Sequence, residues 1–478
     1  MYRTVTQPLY GQAADIFGRF YPMLTALSFF ILGSGICGGA SSMAMLIAGR
    51  ALQGIGAGGV GCLNEIIICD LVPLQQRGQW LGVLFALIAL GTAASPVFGG
   101  LLISYANWRW TFYLSLPIGS FSLVTFILFI RLNHNRNGDF VSQLRRIDWV
   151  GNAIFIAAVV AILVPLSEAS TKYPWSSWRI LVPLLIGLLL GMPLFLLYEG
   201  SKWCVEPAVP LRLFRHRTTL IALAITFLHA IGTLWTFYFL PVYFQGVKEA
   251  SPMRSGVMLL PTVVSMLPFV IVGGKLMEVT GRYMPVHLVG LAIMTVGFGL
   301  LSLLDRNSST AAWVMFQFVE VAGIGMVIGV LLPAVQAPLA ESDTALSAST
   351  WSFIRSFGVI WGVAIPSSIF NNRSDSLAKS RITDASVREM LSRGRAYEHA
   401  TKAYLQSLSS DALRDQAITV FQDSMREIWL VAITFAGLAF FLAFFEKEVK
   451  LRDKVDTNYG LRDEKVEAPA IIEDRQNV

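Results

Sequence analysis

Charge is what this 478-residue chain has least of. Asp, Glu, Lys and Arg make up 14% of it against 54% apolar residues, and its mean hydropathy is +0.59. So few charges exclude a soluble protein built around a single core and leave a polytopic membrane protein. A bilayer cannot satisfy the edges of an open sheet, so the predicted fold class is all-α. Cysteine is scarce too: Cys37, Cys62, Cys69 and Cys204 have no metal-ligand spacing, the first three fall in apolar runs, and they read as reduced packing residues. No metal or cofactor is expected. A G-x4-G-K-[ST] phosphate loop is missing, which removes ATP as the direct energy source. Without a metal cluster or a nucleophile–base pair, the chain is not expected to be an enzyme. The formal charge of +6 sits in loops and tail, where it sets topology, and implies no nucleic-acid partner.

What is present is a series of apolar runs. They predict about twelve helices, near 21–39, 44–69, 80–105, 110–131, 149–167, 179–199, 218–243, 256–273, 284–304, 311–333, 345–370 and 428–445. The expected organisation is a leading segment and first hinge (1–20), the rest of an N-terminal bundle (21–131), two linker helices (132–217), a C-terminal bundle (218–370), a long outer loop (371–426), a last span (427–446) and a disordered tail (447–478). Within the outer loop Ala400, Tyr404 and Leu408 are spaced four apart, as on one face of a surface helix. Short loops on the hinge side carry the excess of Lys and Arg, including Arg145, Arg146, Arg212, Arg215 and Arg217, which places the hinge in the cytoplasm. Counting the long outer loop and the tail narrows that margin.

Gly11-Gln-Ala-Ala-Asp15-Ile-Phe-Gly18-Arg19-Phe20 returns as Gly274-Lys-Leu-Met-Glu278-Val-Thr-Gly281-Arg282-Tyr283. Each copy joins two apolar runs, so the chain reads as two related halves with a tight charged hinge in each. The glycines permit close turns, and the opposite charges can pair at helix ends. The repeat resembles the signature of the major facilitator superfamily, which implies two six-helix bundles rocking about a central site. Arg50 in Arg50-Ala-Leu-Gln53-Gly54 lies inside a span and must face a polar interior or a carboxylate. That stretch resembles a family motif whose arginine is associated with proton coupling. Gly91-Thr-Ala-Ala-Ser95-Pro96-Val-Phe-Gly99-Gly100 resembles the antiporter motif, with Ser95 in place of a glycine, and implies export and a bend packed tightly on the opposite bundle.

Trp108-Arg109-Trp110, Tyr238-Phe-Leu-Pro241-Val-Tyr243-Phe244-Gln245-Gly246 and Arg355-Ser-Phe-Gly358 are similar to stretches of the fungal fourteen-span drug:proton antiporters, exporters of drugs and mycotoxins. Measured against that type, the first helix and most of the second are expected to be missing, since residues 1–10 are too short to span.

Titratable residues deep in spans are the proton-coupling candidates: Arg50, His229, Glu320 and Arg355, the last a partner for Glu320 or an anion contact. Each has a purely structural alternative. Glu65 and Asp70 read as gate or clamp residues, Asp70 as a partner for Arg19. Gln53, Trp235, Tyr238, Tyr243 and Gln245 are the candidate substrate cavity, a set that a lipid-interface belt would also use. The expectation is a monomeric, proton-coupled exporter of small amphipathic organic compounds, in the plasma membrane or a vacuolar or vesicle membrane. The alternatives are a proton-driven importer, for example of siderophores, and an inactive or receptor-like relative.

Overall fold

The computed structural model describes residues 2–130, 139–169, 173–204, 206–392 and 394–454, without the side chains at positions 2, 93, 94, 96–101, 103, 104 and 140. The described residues form helices and no β-strand beyond one isolated bridge, Ala169–Tyr173. In chain order we label α1 Gln7–Phe17, α2 Phe20–Gly38, α3 Met43–Leu71, α4 Leu74–Tyr105, α5 Ser115–Phe129, α6 Trp149–Glu168 and α7 Trp178–Glu199. There follow α8 Arg217–Gly246, α9 Leu260–Thr280, α10 Met284–Leu301, α11 Thr310–Ile328, α12 Thr344–Arg381 and α13 Asp411–Ala443. Eleven helices among the described residues are long and apolar enough to cross a bilayer; α4, 32 residues long, runs beside them. This is an integral, multi-pass, all-α membrane protein.

Helix ends differ between the two faces. On the face opposite the hinges, Ser42, Ser177, Ser251, Ser309 and Ser410 each begin a helix with a side-chain oxygen accepting from the first turn. Serine does this because its short side chain reaches an N–H that has no partner within the helix. On the hinge face α2, α4, α8, α10 and α12 start without a side-chain cap. The exception there is α6, where Asp148 accepts from the Gly151 N–H at 2.8 Å.

The halves meet at two glycines related by the internal repeat. A Cβ on Gly11 would lie 2.1 Å from Ser349 Oγ, where α1 crosses α12. A Cβ on Gly274 would lie 2.6 Å from Gln79 Cα, where α9 crosses α4. The first glycine of each motif copy therefore lets one half lie close against the other, on a serine side chain at Gly11 and on backbone at Gly274. The turn itself is made by the second glycine, with φ of 76° at Gly18 and 66° at Gly281, a left-handed conformation that disfavours side chains.

Three expected regions take a different form. The outer loop predicted over 371–426 is largely helical: α12 continues to Arg381, three short helices follow, and α13 is a single 33-residue helix beginning well before position 427. Ala400 and Leu408 each end a short helix instead of sharing one, and Ala400 is buried against Gly246. The tail predicted to start disordered at 447 is docked through residue 452, with Leu451 buried; residues 455–478 lie outside the described residues.

The crossings predict opposite signs for one substitution. Gly274→Ala should destabilise the purified protein by roughly 1–3 kcal/mol through overpacking, lowering its melting temperature. Gly91→Ala, with nothing within 4 Å of the added carbon, should leave it equal or higher.

Candidate functional site

The first hinge is a buried ion cluster. Arg19, 4% exposed, follows Gly18, and its guanidinium donates to Asp70 Oδ2 at 2.8 Å, to the Ala14 carbonyl at 2.8 Å and to Asp15 Oδ1 at 3.3 Å. Asp70 comes from the last turn of α3, so the cluster ties two loops of the N-terminal half. The second hinge is built differently. Glu278 pairs with Lys275 at 2.8 Å, its carbonyl accepts from Gln75 Nε2 of the other half at 2.5 Å, and Arg282 is exposed.

Between the hinges lies a residue outside the motifs named above. Arg77, 1% exposed in the first turn of α4, donates to the Val72 carbonyl at 3.0 Å, to Gln336 Oε1 at 2.9 Å and to Glu341 Oε2 at 3.0 Å. Gln336 and Glu341 belong to the other half, so Arg77 closes the hinge face with bonds that can be exchanged for water. Nearby, Arg212 of the linker donates to Asp343 Oδ1 at 2.7 Å. The available signal was a basic residue immediately inside the start of a span, next to a glycine, in Gln75-Gln76-Arg77-Gly78.

Deeper in the membrane, Arg355 of α12 pairs with Glu65 of α3 at 2.5 Å, across the halves. Its guanidinium stands 4.8 Å from the Phe85 ring centre and 4.9 Å from that of Trp351. Glu65 is 1% exposed, and Gln7 Nε2 donates to the neighbouring Ser352 Oγ at 2.9 Å. The sequence suggested Glu320 as the partner of Arg355; the structure pairs Arg355 with Glu65 instead. Glu320 is fully buried between α8, α10 and α11, accepts from Thr236 Oγ1 at 2.6 Å, and has no cation paired with it among the described residues. His229, 2% exposed, lies on the same α8–α11 seam, with Nε2 3.2 Å from the Ile324 carbonyl and Nδ1 3.5 Å from Thr233 Oγ1.

The remaining candidates do not assemble into one pocket. Arg50 is exposed on α3, donates to Gln53 Oε1 at 2.7 Å, lies 5.8 Å from the Phe112 ring centre and meets no carboxylate among the described residues. Gln53 is itself held by Ser34 Oγ at 2.9 Å, within the N-terminal bundle. Trp235 and Tyr243 are core residues: Trp235 is fully buried edge-on to Phe435, and the Tyr243 hydroxyl donates to the Asp305 carbonyl at 2.8 Å. Tyr238 projects outward at 46% exposure, and Gln245 is half-buried. At about 100° per residue, Tyr238 and Gln245, seven apart, share one face of α8, whereas Tyr243, five after Tyr238, points well away from it. Along the expected antiporter stretch, Ser95 Oγ bonds back to the Gly91 carbonyl at 2.8 Å and Gly91 faces open space; the side-chain environments of Pro96, Gly99 and Gly100 lie outside the described residues. The tight approach of α4 to α9 is at Gly78 and Gly82, which meet Met277 and Val270.

One further cluster holds the linker pair together. Asp148, Glu199 and Cys204 bring possible ligand atoms within 4.8 Å of one another. Asp148 already serves the Gly151 N–H and the Tyr198 hydroxyl, and Glu199 the Ala208 N–H. Burial, with Glu199 and Asp148 beside it, pushes the Cys204 thiol up to about 12, so it donates as a thiol to Asp148 at 3.5 Å. Carboxylates occupied in this way act as a structural joint.

Comparison with known proteins gives a consistent picture. Residues 3–363 match the family model described as Major Facilitator Superfamily. The chain is 50% identical to the MFS-type transporter pydD of Acremonium sp over 462 residues, 97% of this chain and 80% of that protein. It is 45% identical to the MFS-type efflux transporter ffsH of Aspergillus flavipes, covering 98% and 82% of the two chains. With the efflux pump FUS6 of Gibberella fujikuroi the identity is 44%, over 97% and 83%. Among solved structures, the fold is similar to the human organic anion transporter MFSD10, with TM-score 0.54 and 14% identity over 92% of this chain and 81% of that one. It is also similar to the proton:xylose symporter XylE, with TM-score 0.52 and 13% identity over 86% and 84%.

The hinge cluster makes a direct prediction. Asp70→Ala leaves Arg19 buried without its closest counter-charge and should cost about 3–5 kcal/mol, whereas Arg19→Met combined with Asp70→Leu should recover most of the loss. Thermal unfolding of the single and double variants measures it, and a melting temperature unchanged in Asp70→Ala would contradict it.

Proposed function

This chain belongs to the major facilitator superfamily, and on that premise we propose that it is a proton-coupled exporter of small amphipathic organic compounds working by alternating access. It is a membrane transporter and not an enzyme. Export is supported by the efflux transporters among its relatives. The observation that carries the mechanism is the composition of the seam between the halves. It combines two close glycine crossings and apolar contacts such as Phe85 against Trp351 with a few polar pairs, Arg77 with Gln336 and Glu341, and Arg355 with Glu65. The polar pairs on the hinge side, which we take as cytoplasmic, are the contacts that can be exchanged for water when that side parts.

In this cycle the hinge side opens to admit substrate from the cytoplasm, and the Arg77 and Arg355 pairs re-form as it closes. Glu320 carries the proton: it is buried with one hydroxyl partner and no cation among the described residues, so its surroundings do not compensate its charge. His229, two turns before Thr236 on α8, lies on the same α8–α11 contact within the C-terminal half. Arg355 holds Glu65 and serves closure. We place the carrier in the plasma membrane, acting as a monomer. At about 2.3 kcal/mol per charge per 100 mV plus about 1.4 kcal/mol per pH unit, one proton can support accumulation of tens-fold or more.

Vesicle transport of a fluorescent amphipathic compound tests this reading. Wild-type transport should follow the proton gradient and stop with a protonophore, whereas Glu320→Gln should keep substrate binding but lose the dependence on pH. A variant with the wild-type pH profile would return Glu320 to a packing role, and wild-type transport indifferent to the protonophore would overturn proton coupling.

A further inference from the structure

Beyond α13 the chain turns through Phe444 and Phe445, and residues 447–452 cross the hinge face without helix. Its first part is fastened to the C-terminal half. Glu446 is buried against His287 at 2.9 Å, and Lys447 exchanges two 3.2 Å hydrogen bonds with Thr218 Oγ1, one through its N–H and one through its carbonyl. The Tyr283 hydroxyl donates to the Lys447 carbonyl and accepts from the Val449 N–H at 3.2 Å. Leu451 is 4% exposed. The end of the segment reaches the other half: the Arg452 carbonyl accepts from the Gln75 N–H of α4 at 3.2 Å. The Arg452 guanidinium lies 3.6 Å from Glu341, the carboxylate that also holds Arg77.

The point of contact is informative. Pro73 precedes α4 and offers no side-chain cap, so the Gln75 N–H is one of the donors a helix start leaves open. The neighbouring Gln76 and Arg77 N–H groups bond back to Pro73, whereas that of Gln75 goes to Arg452. A segment anchored in one half thus supplies the cap for a helix of the other, beside the Arg77 closure.

We propose that residues 446–452 are a latch on the hinge-face gate, fixed to the C-terminal half and releasing α4 at Arg452 whenever that face opens. The latch rests on the alternating-access reading above. It biases the carrier toward the closed hinge face, and whatever pulls on the chain beyond Arg452 changes how often that face opens.

A native thiol reports the gate. Cys69 is fully buried at the hinge-side end of α3, against Arg77 and Gln336, and it becomes reachable when that closure parts. The experiment is labelling of Cys69 by a membrane-impermeant maleimide in inside-out vesicles, read by peptide mass, on the full chain carrying Cys204→Ser. When opening is fast relative to labelling, the rate follows the open population. Ending the chain after Lys450 keeps the anchors at Glu446, Lys447 and Val449 and removes the contact with α4, together with Leu451 and the Arg452–Glu341 pair inside the C-terminal half. It should speed labelling about five- to tenfold, the worth of the one hydrogen bond to α4. Gln75→Pro should label faster than Gln75→Ala, because both lose the side-chain bond to Glu278 but proline also lacks the N–H, at a helix position that tolerates it. Rates equal to the full chain would overturn the latch, as would faster labelling accompanied by a fall in melting temperature, which would assign the segment to folding. Transport measured on the same vesicles separates failure of the latch from failure of the exporter reading.

Discussion

The closeness of two glycine crossings between the halves is the constraint on which the rest of this molecule depends. At Gly11 on Ser349 and at Gly274 on Gln79, one half lies on the other with no room for a side chain. Lipid gives helices little hydrophobic reason to associate, so contact of this kind and a few polar bonds must hold the halves together. Close crossings also fix the register in which the polar partners meet. Arg77 reaches Gln336 and Glu341 because α4 passes α9 at Gly78 and Gly82, within a turn or two of that arginine. The repeat therefore carries two jobs at a fixed spacing: a glycine that touches the other half, and seven residues later a glycine that turns the chain.

The two halves use that shared template unequally. In the first, the arginine after the turn is buried in an ion cluster with Asp70 and Asp15. In the second, the arginine is exposed, and the acidic residue offers its backbone carbonyl to the opposite half. The N-terminal hinge is thereby braced within its own half, while the C-terminal hinge is braced across the seam. The repeat shares one geometry between the halves, and the residues around it give each hinge a different task.

Much of the fold was legible in the sequence because length in a membrane is a physical ruler: a run of about 20 apolar residues has one way to satisfy its backbone. The repeat was legible as well, and with it the turns at Gly18 and Gly281. The partners of buried charges were not. Glu65 and Arg355 are 290 positions apart, and no local pattern says which of two buried carboxylates an arginine will meet. Nor could the faces of α8 be sorted: in a bilayer the lipid side and the protein side of a helix are both apolar, so the 3.6-residue contrast that marks a soluble helix fades. Trp235 and Tyr243 consequently looked like cavity residues when they are core. The outer segment was misread for a related reason, since Ala400 and Leu405 bury against the membrane bundle and their surroundings are too polar for a hydropathy run to reveal it.

The serines that open the helices on one face have a bearing on how the chain is assembled. Each satisfies its helix start from within four residues of sequence, so those ends are complete as soon as the helix exists, before any neighbour arrives. On the hinge face most helix starts have no such side-chain cap, and that of α4 takes its acceptor from Arg452, far along the chain. The serine-capped helices can thus close their first turn as they form, whereas α4 on the hinge face has its start completed only when the last residues of the bundle have docked.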